Sequence, residues 1–338
     1  MRWCLPQLLC CALVVASCAT EAEPPPDDDP ALLVVVNPWD TIPPQELYGA
    51  TPVDNLQLTP VELDVVGLPP GWDGARFAAI SDLQLELWSG NREVAAAAVR
   101  AAAEAQPDFV VLLGDYLGGG TDPAPLRQVL APLRDIPTFA VLGDRDVFSD
   151  SLAARITRTL EEAGIRVLRG EVAPLELNGE TATIAGVDPE MAQETIAEQR
   201  WIMSQLGLST RVALLLSHSP VLAARADNDR VPAAVAGGTF CGSVEVPGTP
   251  RLRWFNEEAF PAAVVEGAER LYRIGPMVLF ISCGTGYGFV PVRYGAPPEV
   301  AMVTLLRVGA SAEEGDSAAV DAEAILRELE GDSVPSQR

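Results

Sequence analysis

Positive charge is scarce in this sequence: Lys and Arg number 23 against 47 Asp and Glu, a formal net charge of −24 over 338 residues. Phosphate backbones are bound mostly through Lys and Arg, so the balance argues against a nucleic-acid partner, and the acid excess reads as a solvated surface. A long apolar run is missing too. Leu5–Ala16, behind Arg2, is shorter than the roughly 20 residues that cross a bilayer, and it has the form of an export signal lying outside the fold. Cysteine is thin once that signal is set aside, since only Cys241 and Cys283 remain besides Cys18. Export permits a disulfide, but two cysteines do not establish one. Histidine is represented once, by His218.

What is present begins with an anchor signal. Val15-Ala16-Ser17-Cys18 resembles the cleavage box of bacterial lipoproteins, which implies that Cys18 becomes the acylated first residue. Glu21–Pro30, rich in Pro and Asp, is a stiff charged spacer suited to holding a folded body off a membrane. No Asp directly follows Cys18, and by the same resemblance this favours the outer membrane. The expectation is an exported, membrane-anchored lipoprotein.

Four segments share one design. Val110–Asp115 is an almost continuous apolar run stopped by Gly114 and ended by an acid, the pattern of a strand covered on both faces. Phe77–Asp82, Ile136–Asp144 and Val212–His218 repeat it. Strands separated by helices line up parallel, so the polar residues at their C-terminal ends are expected to meet in one crevice.

Between these runs, helices are predicted over Asn91–Gln106 with Asn91 as N-cap, over Thr121–Asp135, over Ser149–Gly164 capped by Ser149 or Asp150, over Glu190–Leu206, and briefly after Ser219-Pro220. Val61–Val66 and Ala75–Asp82, either side of Pro69-Pro70-Gly71, read as an antiparallel start. Further strand material lies at Ile165–Leu168, Val172–Leu177, Thr181–Val187, Val231–Ala236, Ser243–Val246, Met277–Ser282 and Val300–Val308. A βαβ-rich first half and a β-rich second half suggest two packed sheets flanked by helices, an α/β fold. The organisation expected is a signal at 1–17, a tether and extension at 18–60, the folded domain at 61–308 and an acidic tail at 309–338, with at most a short helix at Ala322–Glu330.

Strand ends reading Ser-Asp-x, Gly-Asp, Gly-Asp-x-Asp and Ser-His, in this order, resemble the calcineurin-like metallophosphoesterases, especially their exported or membrane-attached bacterial branch. The likeness runs from about Val61 to Arg307 and takes in Leu271–Gly275 and Ile281–Val300. It implies a four-layer α/β-β/α sandwich, and a family norm of two divalent metals that clamp a phosphate and activate water. Carried over residue by residue, Asp82 and Gln84 stand where the family has Asp-x-His, and Asp115 matches the carboxylate bridging the two ions. Gly143-Asp144-Arg145-Asp146 stands for Gly-Asn-His-Asp/Glu, so Arg145 occupies the general-acid position and cannot donate a proton near neutral pH. His218 matches the isolated metal-binding imidazole. Gly238 and Phe240 occupy both imidazole positions of Gly-His-x-His.

The resemblance thus leaves Asp82, Gln84, Asp115, Asp144 and His218 as a residual metal set. Arg145, with a planar fork that can engage two carboxylates, is the group placed to offset their repulsion. One expectation is a catalytically impaired or inactive protein, with no metal or one weakly bound divalent cation, serving as a binding module or scaffold for an envelope protein or a small anionic ligand. The alternative is a working phosphoesterase with one oxygen-rich site, which suits Mn or Mg.

Overall fold

A computed structural model of the chain describes residues 53–187, 189, 212–224, 226, 231–242, 263–264, 270–288, 291 and 293–309. The signal and Cys18, the tether as far as residue 52, the helix expected at Glu190–Leu206, the strand at Ser243–Val246 and the tail beyond residue 309 lie outside them.

Two sheets carry the fold. The first holds β1 (Gln57–Val66), β13 (Glu299–Val308), β2 (Arg76–Ile80), β3 (Phe109–Leu112), β4 (Thr138–Ala140) and β5 (Arg166–Val167), side by side in that order. The second runs β10 (Ala263–Val264), β11 (Leu271–Ile274), β12 (Met277–Ile281), β9 (Ala233–Ala236), β8 (Val212–Ser217), β7 (Glu180–Val187) and β6 (Glu171–Leu177). In each sheet the central strands are parallel: β2 to β5 in the first, β7, β8, β9 and β12 in the second. Helices α1 (Ser89–Glu104), α2 (Ala124–Leu130) and α3 (Asp150–Glu162) join the strands of the first sheet, and the short α4 (Pro220–Ala224) follows β8. This α/β arrangement of two mixed sheets with flanking helices is consistent with the expected metallophosphoesterase fold.

The buried runs explain the layering. Along β2, Phe77 and Ala79 enter the core between the sheets, while Ala78 and Ile80 pack with α1 to α3. Each face is apolar, so the strand has no polar alternation. Phe77 stacks on Phe109 at 4.9 Å between ring centroids, and Phe139 meets Phe109 edge-on at 6.4 Å. The outer face of the second sheet has its own core, in which Leu215, Leu279 and Ile281 pack with Leu222 of α4.

Three expectations change. β1 and β2 run antiparallel but do not pair, because β13 enters between them, parallel to β1 and antiparallel to β2. β1 also starts at Gln57, ahead of the Pro-rich boundary at residue 60. It tolerates Pro60 because it is the edge of its sheet, where a strand can lack an N–H donor. Finally, α1 starts at Ser89, and Asn91 sits inside it, fully buried, rather than capping it. The Asn91 amide group donates to the carbonyls of Gln84 and Tyr287 and accepts from the Tyr287 N–H, so tertiary bonding overrides its capping preference. At α3 the local signal holds: the Ser149 hydroxyl accepts from the Leu152 N–H, and Gly164, at φ +84°, follows the helix end.

Candidate metal centre

Every side chain of the centre sits just past the C-terminal end of a parallel strand. Asp82 follows β2, Asp115 follows β3, Asp144 to Asp146 follow β4, His218 follows β8 and Gly238 follows β9. The loops after β3 and β4 touch backbone to backbone. Gly114 has φ +89°, and a Cβ there would come within 2.4 Å of the Gly143 nitrogen, so only glycine permits this approach. Asp82, Gln84 and Asp115 themselves hold positive φ, which costs a non-glycine residue about 1–2 kcal/mol and is tolerated where surrounding bonds enforce it.

Asp82, Asp115 and His218, all buried, bring one ligand atom each to within 4.8 Å of one another. Asp82 Oδ2 accepts from the Ser81 hydroxyl and, at 3.0 Å, from the Gly238 N–H. Its other oxygen, Oδ1, is buried without a hydrogen-bond partner. Asp115 Oδ2 accepts from the Gln84 amide at 2.8 Å, and Oδ1 accepts from the Arg145 N–H at 3.0 Å. Gln84 Oε1 is also buried and unpartnered. His218 donates through Nδ1 to the Leu113 carbonyl at 2.7 Å, which turns Nε2 toward Asp115 Oδ1, 3.6 Å away.

The electrostatics follow from burial. It opposes a charged ring at His218, but the carboxylates of Asp115, Asp82 and Asp144 outweigh it and push the imidazole up to about 9. Burial also raises the Asp82 carboxyl, with the Asp115 charge adding to the rise and His218 opposing it. In the same way burial and the Asp115 charge push Asp146 up to about 7, against the pull of the Gly143 and Tyr116 N–H groups.

The residual set divides. Asp82, Gln84, Asp115 and His218 meet, whereas Asp144 is exposed and stands outside the three-residue cluster, reaching His218 only through its charge. Arg145 does not bridge two carboxylates. Its Nε lies 3.6 Å from Asp115 Oδ2, and its Nη1 is spent on the Gly118 carbonyl at 2.8 Å. Gly238, at φ +75°, sits tight against His218, since a Cβ would lie 3.0 Å from Nε2. Phe240 packs under the guanidinium of Arg293, 5.3 Å from its ring centroid.

Sequence reasoning gave no role to three further features. Asp146 accepts the N–H groups of Asp115, Tyr116 and Gly143 and so clamps the two carboxylate loops together; it was visible as the last acid of Gly-Asp-x-Asp. Arg293 donates to the carbonyls of Cys283 and Gly286 among others, and lies within Ile281–Val300, read only as a family likeness. Cys241 and Cys283 form a disulfide with Cα atoms 4.7 Å apart, a pairing that the sequence permitted but left open.

The donor set fits one cation. Two buried carboxylates, an imidazole presenting Nε2 and two unpartnered buried oxygens, Asp82 Oδ1 and Gln84 Oε1, are what a hard or borderline divalent ion requires.

A model of the family described as calcineurin-like phosphoesterase matches residues 75–237, the span from β2 to just past β9. An uncharacterized metallophosphoesterase of Aquifex aeolicus is 29% identical over 209 residues, covering 59% of this chain and 73% of its own length. The metallophosphoesterase YkuE of Bacillus subtilis is 24% identical over 245 residues, 70% of this chain and 81% of its own. Among solved structures, a phosphopantetheinyl hydrolase of Mycobacterium tuberculosis aligns over 63% of this chain and 91% of its own, at 14% identity and a TM-score of 0.40, a likeness that carries no argument. The family model and these relatives make the chain similar to the calcineurin-like metallophosphoesterases.

Proposed function

We propose that this protein is a lipid-anchored, catalytically impaired member of the phosphoesterase fold. In this reading its cleft holds one divalent cation, Mn or Mg, and through it binds a small anionic ligand at the cell envelope. Asp82, Asp115 and His218 Nε2 would hold the ion, with the Gln84 amide oxygen beside them. The ion would supply Lewis-acid attraction for a phosphate-like group. One observation carries the impairment: Arg145, a permanent cation at the position of the family's proton donor, is committed to Asp115 and Gly118. Loss of a general acid alone typically costs about 10²–10⁴-fold in rate. The lipid anchor rests on the Val15–Cys18 box and the spacer behind it.

The test is the purified Cys18→Ser protein, assayed for bound metal and for turnover of an activated phosphodiester in Mn. The expected outcome is metal binding without turnover. Cys18→Ser should also release the protein from the membrane fraction unacylated and folded. The two unpartnered acceptors favour a second reading, an active hydrolase working with the reduced site. Turnover that survives purification and disappears in Asp115→Asn would establish it over the first.

A further inference from the structure

The loops over Asp82 come from two places, and one bond joins them. Gly238, after β9, donates its N–H to Asp82 Oδ2. Gly284, after β12, lies so close that a Cβ on it would come within 2.9 Å of the same oxygen. Cys241 and Cys283, three residues beyond the first and one before the second, are disulfide-bonded. Between them Phe240 and Cys241 are held at φ 49° and 48°, a left-handed conformation that side-chain-bearing residues leave unless something enforces it.

We propose that the Cys241–Cys283 disulfide is a redox latch on the cation site, such that reduction by a dithiol weakens the cleft's hold on a divalent ion. The proposal rests on the single-cation reading above. In the oxidised protein Ser81 and Gly238 both bond Asp82 Oδ2, which fixes the carboxylate and leaves Oδ1 free for the ion. Without the covalent tie the corner at Phe240–Cys241 relaxes from its left-handed backbone. Gly238 then leaves Asp82, and the carboxylate loses its fixed direction.

The two sulfurs are unequal in a way that suits exchange. Cys241 is partly exposed, while Cys283 is buried and its Sγ receives a hydrogen bond from Arg270 Nη1 at 3.1 Å. A dithiol thiolate attacks Cys241 Sγ and the S–S bond breaks. The electron pair leaves on Cys283 Sγ, which keeps the hydrogen bond from Arg270 Nη1, a group also paired with Glu299. The reductant's second thiol then displaces Cys241. The products are two cysteine thiols, carrying the two protons of the dithiol, and the reductant's own disulfide.

The experiment measures Mn²⁺ affinity of the Cys18→Ser protein, oxidised and after reduction and desalting without oxygen. It also measures amide exchange in both states. Groups that orient a metal ligand are typically worth about 10- to 100-fold in affinity, and a loss of that size is expected on reduction. Exchange should accelerate at Gly238–Cys241 and Cys283–Gly286, with β8 and β12 unchanged. Cys241→Ser with Cys283→Ser should match the reduced form; if that variant does not fold, the reduced wild type decides. Equal affinity in the two states overturns the latch, as does finding both thiols free before reduction. Binding of Mn²⁺ by neither state overturns the cation reading instead, and the Gly238 exchange rate then judges the latch: faster on reduction supports it, unchanged overturns it.

Discussion

The two halves of the cleft are held by different kinds of bond. The half built on the first sheet keeps its acids and holds them with backbone: Asp146 takes three N–H groups, and Asp115 takes one more from Arg145. The half built on the second sheet keeps a single imidazole. Where the family likeness calls for two more, it has Gly238, a ring stacked under Arg293 and a disulfide. A metal site can be held together by its ion or by its frame. Here the first half supplies two carboxylates, and the second adds one imidazole within a covalently tied frame.

The largest effect should come from breaking the first half. Asp146→Ala leaves three buried N–H donors without an acceptor, and at about 1–3 kcal/mol each a loss of roughly 3–9 kcal/mol is expected in urea unfolding. A loss below about 1 kcal/mol would mean that the clamp is ornamental. The frame of the second half comes next. Removing both cysteines opens a loop with sequence separation 42, and about 3–4 kcal/mol should go with it in the same measurement.

The pH dependence sharpens the comparison by touching both halves. Asp146 and His218 both bind protons more tightly folded than unfolded, so each stabilises at low pH and loses that contribution as pH rises through its folded value. For Asp146 the window runs from 3.8 to about 7, and for His218 from 6.5 to about 9. The metal-free protein should therefore become steadily less stable from mildly acidic to alkaline pH. Since the chain has one histidine, a single imidazole resonance should titrate near 9, and Mg²⁺ should move that midpoint downward by competing with the proton. A midpoint near 6.5 without metal would place His218 apart from the acids.

The smallest effect is expected at Arg145. Its side chain is 40% exposed, so Arg145→Ala should cost only about 1 kcal/mol in melting experiments. Removing that charge beside Asp115 should still tighten Mn²⁺ binding severalfold. No change in affinity would mean that the guanidinium does not compete with the ion.

Much of the frame was legible because burial on both faces leaves a plain mark. Phe77–Ile80 and Phe109–Leu112 are apolar at every position, and the acids that follow them converge as parallel strands demand. What escaped was non-local. β13 could not be foreseen between β1 and β2 from their own residues, and Asn91 looked like a cap because its partners, Gln84 and Tyr287, are set by two other loops. The exposure of Asp144 escaped for a related reason. β4 ends at Ala140, and the turn that follows, not strand alternation, sets where each acid of Gly-Asp-x-Asp lies. Asp82 and His218 were found because each follows its strand within two residues.

The place of β13 carries a consequence for how the chain reaches this state. Gln57 pairs with Glu299, and the register continues to Val66 with Val308, so the first described strand has no neighbour until the last one arrives. β2, β3 and β4 can assemble with α1 and α2 from a contiguous stretch. The edge of β2 stays open until β13 closes it. Pairings of such long sequence separation are slow because loop entropy is lost before contacts are gained. A chain stopped short of Glu299 would present an unpaired β2 edge and a stranded β1, a species prone to stick to its own kind. Completion of the first sheet should thus be the last folding event, after the acids of the cleft are already in place.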